Sequence, residues 1–157
     1  MKILIASATA GDSKDIWQWR NDPATISNSN SAKAVSWQDH QSWFERMLKS
    51  TETEILLGVT LDDKGNLHKI GMVRFDLDIE KQHLVCSINL NPIWRGKGLA
   101  TPLLKVAIEN RTLATDLPIY AEVKPENIAS IKCFEKNKFK FTKNKNGVNQ
   151  YLLNLHD

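Results

Sequence analysis

The stretch Leu90-Asn91-Pro92-Ile93-Trp94-Arg95-Gly96-Lys97-Gly98-Leu99-Ala100-Thr101-Pro102-Leu103-Leu104 decides the fold of this 157-residue chain. Strand-forming residues precede it and apolar residues at helical spacing end it, so it predicts a strand that leads through a loop into a helix. Because Gly96, Gly98 and Ala100 have small side chains or none, backbone N–H groups can close around an anion at the start of that helix. The stretch therefore predicts a phosphate-binding loop.

Two other kinds of phosphate loop fit these residues less well. Residues 96–101 match the GxGxxG pattern of dinucleotide-binding folds except at the last position, and Asp116 follows at a distance suited to a ribose contact. Asp116 precedes the next predicted strand, however, and too little chain follows for the second half of such a fold. A P-loop is excluded because no Lys-Ser or Lys-Thr follows the glycines. Arg95 and Lys97 add positive charge, which suits the phosphate groups that each of these loops binds.

The rest of the chain alternates between strand and helix patterns. Before the loop, an antiparallel meander is predicted at residues 54–61, 67–79 and 83–90. After the loop, helices are predicted at 98–111 and 127–136, and strands at 118–124, 139–143 and 149–155. The amino-terminal part predicts a strand at 2–6, a helix from Asp12 or Ser13 that stops at Asn21-Asp22-Pro23, a polar stretch at 25–34 and a helix capped by Ser36.

The order of these elements predicts the fold class. Because the helix after Leu90 must return the chain to a parallel neighbour, we expect an α/β (α+β) fold. Its core is a single mixed, mostly antiparallel sheet of about seven strands, flanked on both faces by about four helices. Residues 1–157 are expected to form one domain.

The composition excludes several classes of protein. With 41% hydrophobic and 25% charged residues the chain resembles an ordinary folded domain, and its net charge of +3 with dispersed lysines does not predict a nucleic-acid partner. Cys86 and Cys133 have neither CxxC spacing nor suitable His neighbours, so we expect reduced packing residues and no metal site. No segment reads as a secretory signal or a membrane span, which predicts a cytoplasmic protein without a membrane partner.

Two segments together resemble the GNAT family of N-acetyltransferases. Arg95, Gly98 and Ala100 match the family's Gln/Arg-x-x-Gly-x-Gly/Ala loop, and residues 127–139 look like its later motif, Asn-x-x-Ala/Ser followed by aromatic-x-Lys-x-Gly-Phe. The resemblance covers residues 70–155 and implies a GNAT-like fold. It also implies acetyl-coenzyme A (acetyl-CoA) as co-substrate and a small-molecule amine as acceptor.

The resemblance further implies which residues bind the cofactor. Backbone groups at 89–91 would pair with the pantetheine arm like an added strand, and the loop would hold the pyrophosphate. The implied cofactor-binding residues are Asn89, Leu90, Asn91, Arg95, Gly96, Lys97, Gly98, Leu99, Ala100, Thr101, Asn127 and Ser130. For Asn127, a helix N-cap is an equal interpretation that need not exclude a ligand contact.

Acetyl transfer to an amine needs a neutral nucleophile, donors for the oxyanion and an exit for the thiolate. In the family a tyrosine often protonates the thiolate, but Phe134 stands at that place here. Water or the side chains of Ser130, Cys133 and Tyr151 are possible substitutes, and an acid is not essential because a thiol has a pKa of about 8.5. Glu122 is the first candidate for the catalytic base, ahead of Asp76, His83 and His40. An outward-facing strand residue paired with a lysine is the equal alternative for Glu122.

The amino-terminal third resembles acetyltransferases of nucleotide-linked amino sugars, including the pseudaminic acid pathway type, and ribosomal-protein-type enzymes. The resemblance rests on Trp19-Arg20-Asn21 and on His40-x-x-Trp43-Phe44. It predicts that residues 1–53 form the acceptor side, with Arg20, Asn21, His40 and Trp43 as substrate-binding residues, and that residues 54–157 bind the cofactor.

Several functions therefore remain open at this point. The preferred one is N-acetylation of a nucleotide-linked amino sugar. The alternatives are acetylation of protein amino termini or other small amines, a non-catalytic acyl-CoA-binding module and, more remotely, a nucleotide-binding oxidoreductase. The oligomeric state is also open, a homodimer included.

Overall fold

The structure of the chain, a computed structural model, describes residues 1–155, which contain one seven-stranded sheet in the order β1-β2-β3-β4-β5-β7-β6. The strands are β1 Leu4–Ser7, β2 Thr53–Leu61, β3 Leu67–Asp78, β4 His83–Leu90, β5 Ile119–Val123, β6 Lys140–Lys145 and β7 Val148–Leu153. All neighbouring strands are antiparallel except β4 and β5, which are parallel. The predicted fold class and the predicted crossover after Leu90 are confirmed.

Five helices accompany the sheet within the described part of the chain. They are α1 Ser13–Arg20, α2 Pro23–Asn28, α3 Trp37–Lys49, α4 Ala100–Asn110 and α5 Ile128–Lys136, with short 3-10 turns at Ala10–Asp12 and Pro92–Trp94. None of these helices has both the length and the apolar character that a bilayer crossing requires.

The helices bury both faces of the sheet, which accounts for the long buried run in β2. On one face, Trp19 of α1 and Phe44 of α3 pack with Ile55, Leu57 and Met72 of the sheet. On the other face, the buried side chains of α4 and α5 pack with sheet residues of the larger core, among them Leu103, Leu104, Cys133, Phe134, Val73, Phe75, Leu84 and Ile119. Since successive strand residues point to opposite faces, β2 needs apolar residues at nearly every position.

A salt-bridged cluster ties α1 to the sheet. The Lys69 ammonium on β3 lies 2.6 Å from an Asp12 oxygen and 2.8 Å from an Asp15 oxygen. Burial alone would raise the pKa of the Asp12 carboxyl, but the hydrogen bonds from Lys69 and Thr9 outweigh it and lower that pKa. The start of α1 is therefore fixed on β3.

The helix α2 is a correction to the sequence prediction, which placed a stop at Asn21-Asp22-Pro23 and a polar stretch after it. Asp22 is the N-cap of α2 and its carboxylate accepts a hydrogen bond from the Ala24 N–H at 3.1 Å. Pro23 occupies the first helical position, where its missing N–H costs nothing. The same three residues thus end α1 and begin α2.

Candidate active site

The sheet opens between β4 and β5. Their parallel pairing consists of Leu84 opposite Ile119 and Val85 opposite Tyr120. Beyond these pairs, β4 stays bonded to β3 as far as Leu90, while β5 pairs with β7. Within residues 1–155, the edge of β4 from Ser87 to Leu90 that faces β5 therefore has no strand partner. The free backbone N–H and C=O groups of such an edge can form hydrogen bonds with an extended ligand.

The glycine loop lies at the end of β4 and before α4. Gly96 and Gly98 have φ angles of +74° and +71°, a region that L side chains rarely adopt, and both residues are exposed. The N-cap of α4 is Leu99, which provides no side-chain acceptor for the first N–H groups of the helix. These N–H groups and the helix dipole can bind an anion.

The residues at the end of β4 are fixed by side-chain hydrogen bonds. Asn91 donates from Nδ2 to the Lys69 carbonyl at 2.9 Å, and its backbone N–H donates to the Ile70 carbonyl at 2.8 Å. Asn89 accepts a hydrogen bond at 3.2 Å from the hydroxyl of Thr25. The side chain of Asn91 therefore holds β4 against β3, and Asn89 faces α2.

Two of the implied cofactor-binding residues, Asn127 and Ser130, lie at the start of α5. Asn127 is the N-cap of α5, where its Oδ1 accepts from the Ser130 N–H at 3.3 Å. Asn137 at the other end of α5 donates to the Thr101 carbonyl at 3.1 Å, which holds α5 against the first turn of α4. Asn127 and Ser130 thus form the N-terminal cap of a helix whose opposite end contacts α4.

Arg95 contacts α2 in this structure. Its Nη1 is 2.5 Å from Asp22 Oδ2 and its Nη2 is 2.5 Å from the Thr25 hydroxyl. The hydrogen bond from Arg95 is the main reason why the pKa of Asp22 is lowered. The cation of the glycine loop therefore anchors the helix that sequence analysis missed.

Glu122 is exposed on β5, two residues beyond Tyr120, which forms the last pair with β4. The Tyr120 hydroxyl donates to Glu122 Oε1 at 2.8 Å, and Asn30 Nδ2 donates to Oε2 at 3.4 Å. The ring of Tyr120 stacks on His83 with centroids 4.8 Å apart and planes 2° apart. The sequence analysis missed Tyr120, although a Tyr-x-Glu pair on a strand places both side chains on one face.

The other proposed bases lie in different surroundings. Asp76 is 2.8 Å from Arg74 and accepts a hydrogen bond from Thr53 at 2.8 Å. His40 is buried, which lowers its pKa, and stacks between Trp37 and Phe44 with centroids 5.8 and 5.5 Å away. Burial also lowers the pKa of His83. Of these residues only His83 contacts the Tyr120 and Glu122 pair.

The proposed substitutes for the missing tyrosine acid differ in exposure. Phe134 is buried with its ring edge-on to Phe139 at 5.0 Å. Cys133 is buried as well, and burial raises its pKa to about 11. Tyr151 is also buried, whereas Ser130 is partly exposed. Cys86 and Cys133 are both free buried thiols, as expected.

Asn21 binds the segment before α3. Its Nδ2 donates to the Val35 carbonyl at 2.7 Å, its Oδ1 accepts from the Val35 N–H at 2.8 Å, and Trp17 donates to the same carbonyl at 2.8 Å. Because both ends of the Asn21 amide are used, this residue fixes the course of the chain between α2 and α3.

Arg20 lies beside a second guanidinium. Its Nη2 donates to the Ser31 hydroxyl at 3.2 Å, while its Nη1 is buried without an acceptor among the described residues. Burial and then the nearby charge of Arg74 lower the pKa of Arg20. The guanidinium carbon of Arg74 lies 5.1 Å from the ring centroid of Trp43. Arg20 and Trp43 thus both lie beside Arg74, on the face of the sheet that α1 and α3 cover.

The segment 22–31, which we call the bridging segment, contacts both sides of the opening. Thr25 reaches Asn89 on β4, and the Ser27 carbonyl accepts from Lys124, directly after β5, at 3.0 Å. Asn30 reaches Glu122 on β5. These contacts place α2 and the loop after it across the mouth of the opening, which the sequence did not predict.

The opening beside a glycine loop and a helix start suits a ligand that has both an extended arm and a phosphate group. The chain belongs to the GNAT acetyltransferase family, because the family model Acetyltransferase (GNAT) domain matches residues 2–140. The predicted family and the acetyltransferase class are thereby confirmed, and solved structures that contain acetyl-CoA or CoA agree with the predicted co-substrate. No curated protein sequence matches the chain significantly.

Solved structures share the whole fold at low identity. A Salmonella typhimurium protein solved with its cofactor acetyl-CoA is 19% identical, with a TM-score of 0.77 over 100% of this chain and 96% of its own. Spermidine N-acetyltransferase from Vibrio cholerae, solved with CoA and spermine, is 18% identical, with a TM-score of 0.75 over 96% and 93%. An aminoglycoside acetyltransferase solved with CoA is 17% identical, with a TM-score of 0.77 over 99% and 96%.

Proposed function

We propose that this protein transfers the acetyl group of acetyl-CoA directly to the primary amine of a small molecule, and that the preferred acceptor is a nucleotide-linked amino sugar. The observation that carries the proposal is the opening between β4 and β5, which ends at the glycine loop on one side and at Glu122 on the other. One cleft thus offers an unpaired strand edge, an anion site and a carboxylate.

The cofactor would lie along β4. The unpaired edge at 87–90 suits the amide groups of the pantetheine arm, and the N–H groups at 96–101 suit the pyrophosphate. Lys97 is exposed in the same loop and adds positive charge. Asn127 and Ser130 would contact the cofactor from the start of α5, as the family resemblance implies.

Glu122 is the proposed base. An amine must lose a proton as it attacks the thioester carbon, and a carboxylate on the wall of the cleft can accept it. The backbone N–H groups on the unpaired edge of β4 are available to stabilise the oxyanion. Since the thiolate is a tolerable leaving group, the reaction does not depend on an acid at Phe134.

The acceptor would lie between the bridging segment and the sheet. In the β3–β4 register Arg74 pairs with Ser87 and Asp76 with Val85, and Val85 pairs in turn with Tyr120. Arg74 and Tyr120 therefore share one face of the sheet. Arg20 adds a second guanidinium at Arg74, with one nitrogen that lacks an acceptor among the described residues.

Although Arg74 is ion-paired with Asp76 through its Nε, the two guanidinium groups together leave a positive charge that favours an acceptor with an anionic group. Paired oxygens of a diphosphate fit guanidinium forks, whereas a polyamine would be repelled. This is why a nucleotide-linked amino sugar is preferred here over acceptors such as the spermine and kanamycin bound by structural neighbours. Amino termini of proteins remain the second candidate from the sequence resemblance.

The proposal is tested by coenzyme A release over a panel of amines that includes UDP-linked amino sugars, polyamines, aminoglycosides and peptides. Arg20→Ala should raise KM for the UDP-linked amino sugar roughly ten- to a hundredfold, the usual effect of losing a charge-assisted contact, without changing KM for acetyl-CoA. Arg46→Ala, which removes an exposed arginine of α3, is the control and should change neither.

The outcomes separate the alternatives. Turnover of peptides or polyamines alone would reject the nucleotide sugar and keep the acetyltransferase. Binding of acetyl-CoA without turnover of any amine would favour the non-catalytic module. Equal damage to both KM values in Arg20→Ala would make Arg20 a structural residue.

A further inference from the structure

Tyr120 occupies the point at which the two strands part. It forms the last pair of the β4–β5 ladder, opposite Val85, and Glu122 follows two residues later on the same face of β5. The hydroxyl oxygen of Tyr120 lies 2.8 Å from Glu122 Oε1. The hydroxyl is the donor, because an ionised carboxylate can only accept.

Tyr120 is held from both neighbouring strands. The imidazole of His83 stacks on it from β4, with the planes 2° apart. On the other side of β5, Leu152 of β7 is its partner in the antiparallel ladder. The position of the hydroxyl is therefore set by regular strands on both sides.

The second carboxylate oxygen of Glu122 is held differently. Its hydrogen bond comes from Asn30 at 3.4 Å, near the upper limit for such a bond, and Asn30 is an exposed residue of the bridging segment. One oxygen of Glu122 thus has a short bond to a strand residue, and the other has a long bond to a loop residue.

We propose that Tyr120 positions Glu122 for proton abstraction, and that the acceptor amine takes the place of Asn30 at Oε2. This inference rests on the proposed function. With Oε1 held by Tyr120, Oε2 is the oxygen directed at the attacking amine. An N–H bond of the amine breaks and an O–H bond forms at Oε2, while the O–H bond of Tyr120 stays intact. Tyr120 is therefore a positioning residue.

The surroundings leave the hydroxyl proton with Tyr120. The pKa of Tyr120 is raised, first by burial and then by the hydrogen bond to Glu122. The other titratable groups near the pair are His83 on β4, Lys124 beyond β5 and Lys143 on β6. Lys124 donates to the Ser27 carbonyl, and Lys143 pairs with Gln150, the β7 partner of Glu122.

Kinetics on one variant and a control test the inference. Tyr120→Phe removes the hydroxyl and keeps a ring to stack on His83, whereas Arg46→Ala changes an exposed residue of α3 outside the site. For the best amine of the panel, Tyr120→Phe should lower kcat about tenfold or more, and Arg46→Ala should leave kcat within about twofold. Neither should change the dissociation constant of acetyl-CoA or the melting temperature by more than a few degrees.

A double variant distinguishes positioning from a structural role. Because Tyr120 acts through Glu122, Tyr120→Phe combined with Glu122→Gln should be no slower than Glu122→Gln alone. Losses of rate that multiply, or a Tyr120→Phe variant as fast as the wild type, would overturn the inference and leave the proposed function standing. A wild type that acetylates no amine would overturn both.

NMR at neutral pH tests the contact without turnover. The chain has two tyrosines, so NMR of a protein labelled with carbon-13 at the tyrosine Cζ gives two signals, and Tyr120→Phe identifies one by its loss. Glu122→Gln should move the Tyr120 signal, because an amide is a weaker acceptor for its hydroxyl than a carboxylate. An unmoved Tyr120 signal in Glu122→Gln contradicts the inference.

Discussion

At the scale of single residues, Gly98 has the conformation that the proposed anion site requires. Its φ of +71° is in the left-handed region, and an added Cβ would meet no atom within 4 Å. A side chain there would therefore not clash with the protein. It would instead occupy the space in front of the α4 N-terminus, where the pyrophosphate is proposed to bind.

The chain offers a matched control for a substitution at Gly98. Gly65 in the turn between β2 and β3 has a φ of +82° and also has open space at its Cβ. Gly98→Leu and Gly65→Leu should each cost about 1–2 kcal/mol of folding free energy through backbone strain. Acetyl-CoA should raise the melting temperature of the wild type and of Gly65→Leu by mass action, but not that of Gly98→Leu.

A differential scanning measurement with and without acetyl-CoA checks this prediction. An equal shift in all three proteins would remove Gly98 from the cofactor site. A shift with NADH in place of acetyl-CoA would instead point to a dinucleotide site.

The residues that can be found from the sequence have a local signal, whereas those that were missed depend on contacts between distant parts of the chain. Gly96 and Gly98 can be recognised in the sequence because a backbone with positive φ favours glycine. Tyr120 is not, because its role arises from contacts with His83 and Glu122 that depend on where two strands stop pairing. Asn21 was assigned to the substrate, but its structural contacts are with a backbone segment fourteen positions away.

At the scale of elements, α2 links the glycine loop to the acceptor side. Arg95 of the loop bonds to Asp22 and Thr25 at the start of α2, and Thr25 bonds in turn to Asn89 on β4. A pyrophosphate at the loop would compete with Asp22 for the same guanidinium. Cofactor binding and the position of α2 are therefore expected to be coupled.

Asp22→Asn tests this coupling without removing the helix cap. Asn caps helices as well as Asp, so the bond from the Ala24 N–H can persist while the charge facing Arg95 is lost. Because a partly exposed ion pair contributes up to about 1 kcal/mol, acetyl-CoA should bind up to about fivefold more tightly. KM for the acceptor should rise, since α2 loses an anchor.

Isothermal titration of acetyl-CoA and steady-state kinetics give the two values. Weaker binding of acetyl-CoA to Asp22→Asn would contradict the competition and make the pair a plain structural contact. Asp39→Asn, on the exposed side of α3, is the control for a general change in charge.

At the scale of the whole molecule, the sheet has one point at which it is weakly joined. The strands β4 and β5 share two residue pairs, whereas β3 and β4 share eight from Gly71–Leu90 to Asp78–His83. The larger core continues beneath this point, since Phe75 and Leu84 on one side belong to the same cluster as Ile119 and Tyr151 on the other. The opening is therefore held by a continuous core on one face and the bridging segment on the other.

The sequence predicts the strands of this sheet but not the opening between β4 and β5. Alternation and period changes define the strands, and β4 at His83–Leu90 agrees with its predicted bounds. The short ladder between β4 and β5 is not predictable in the same way, because the end of a ladder depends on packing with β3, β7, α4 and α5. α2 was missed because Asp22-Pro23 both terminates one helix and begins the next.

We propose above that acetyl-CoA binds in the opening between β4 and β5. Amide hydrogen exchange with and without acetyl-CoA tests this binding site, because backbone groups that bond to a ligand exchange more slowly. We expect slower exchange at residues 87–90 and 96–101, and unchanged exchange in the β2–β3 turn at 62–66. Unchanged exchange at 87–90 and 96–101 in protein saturated with acetyl-CoA would contradict it.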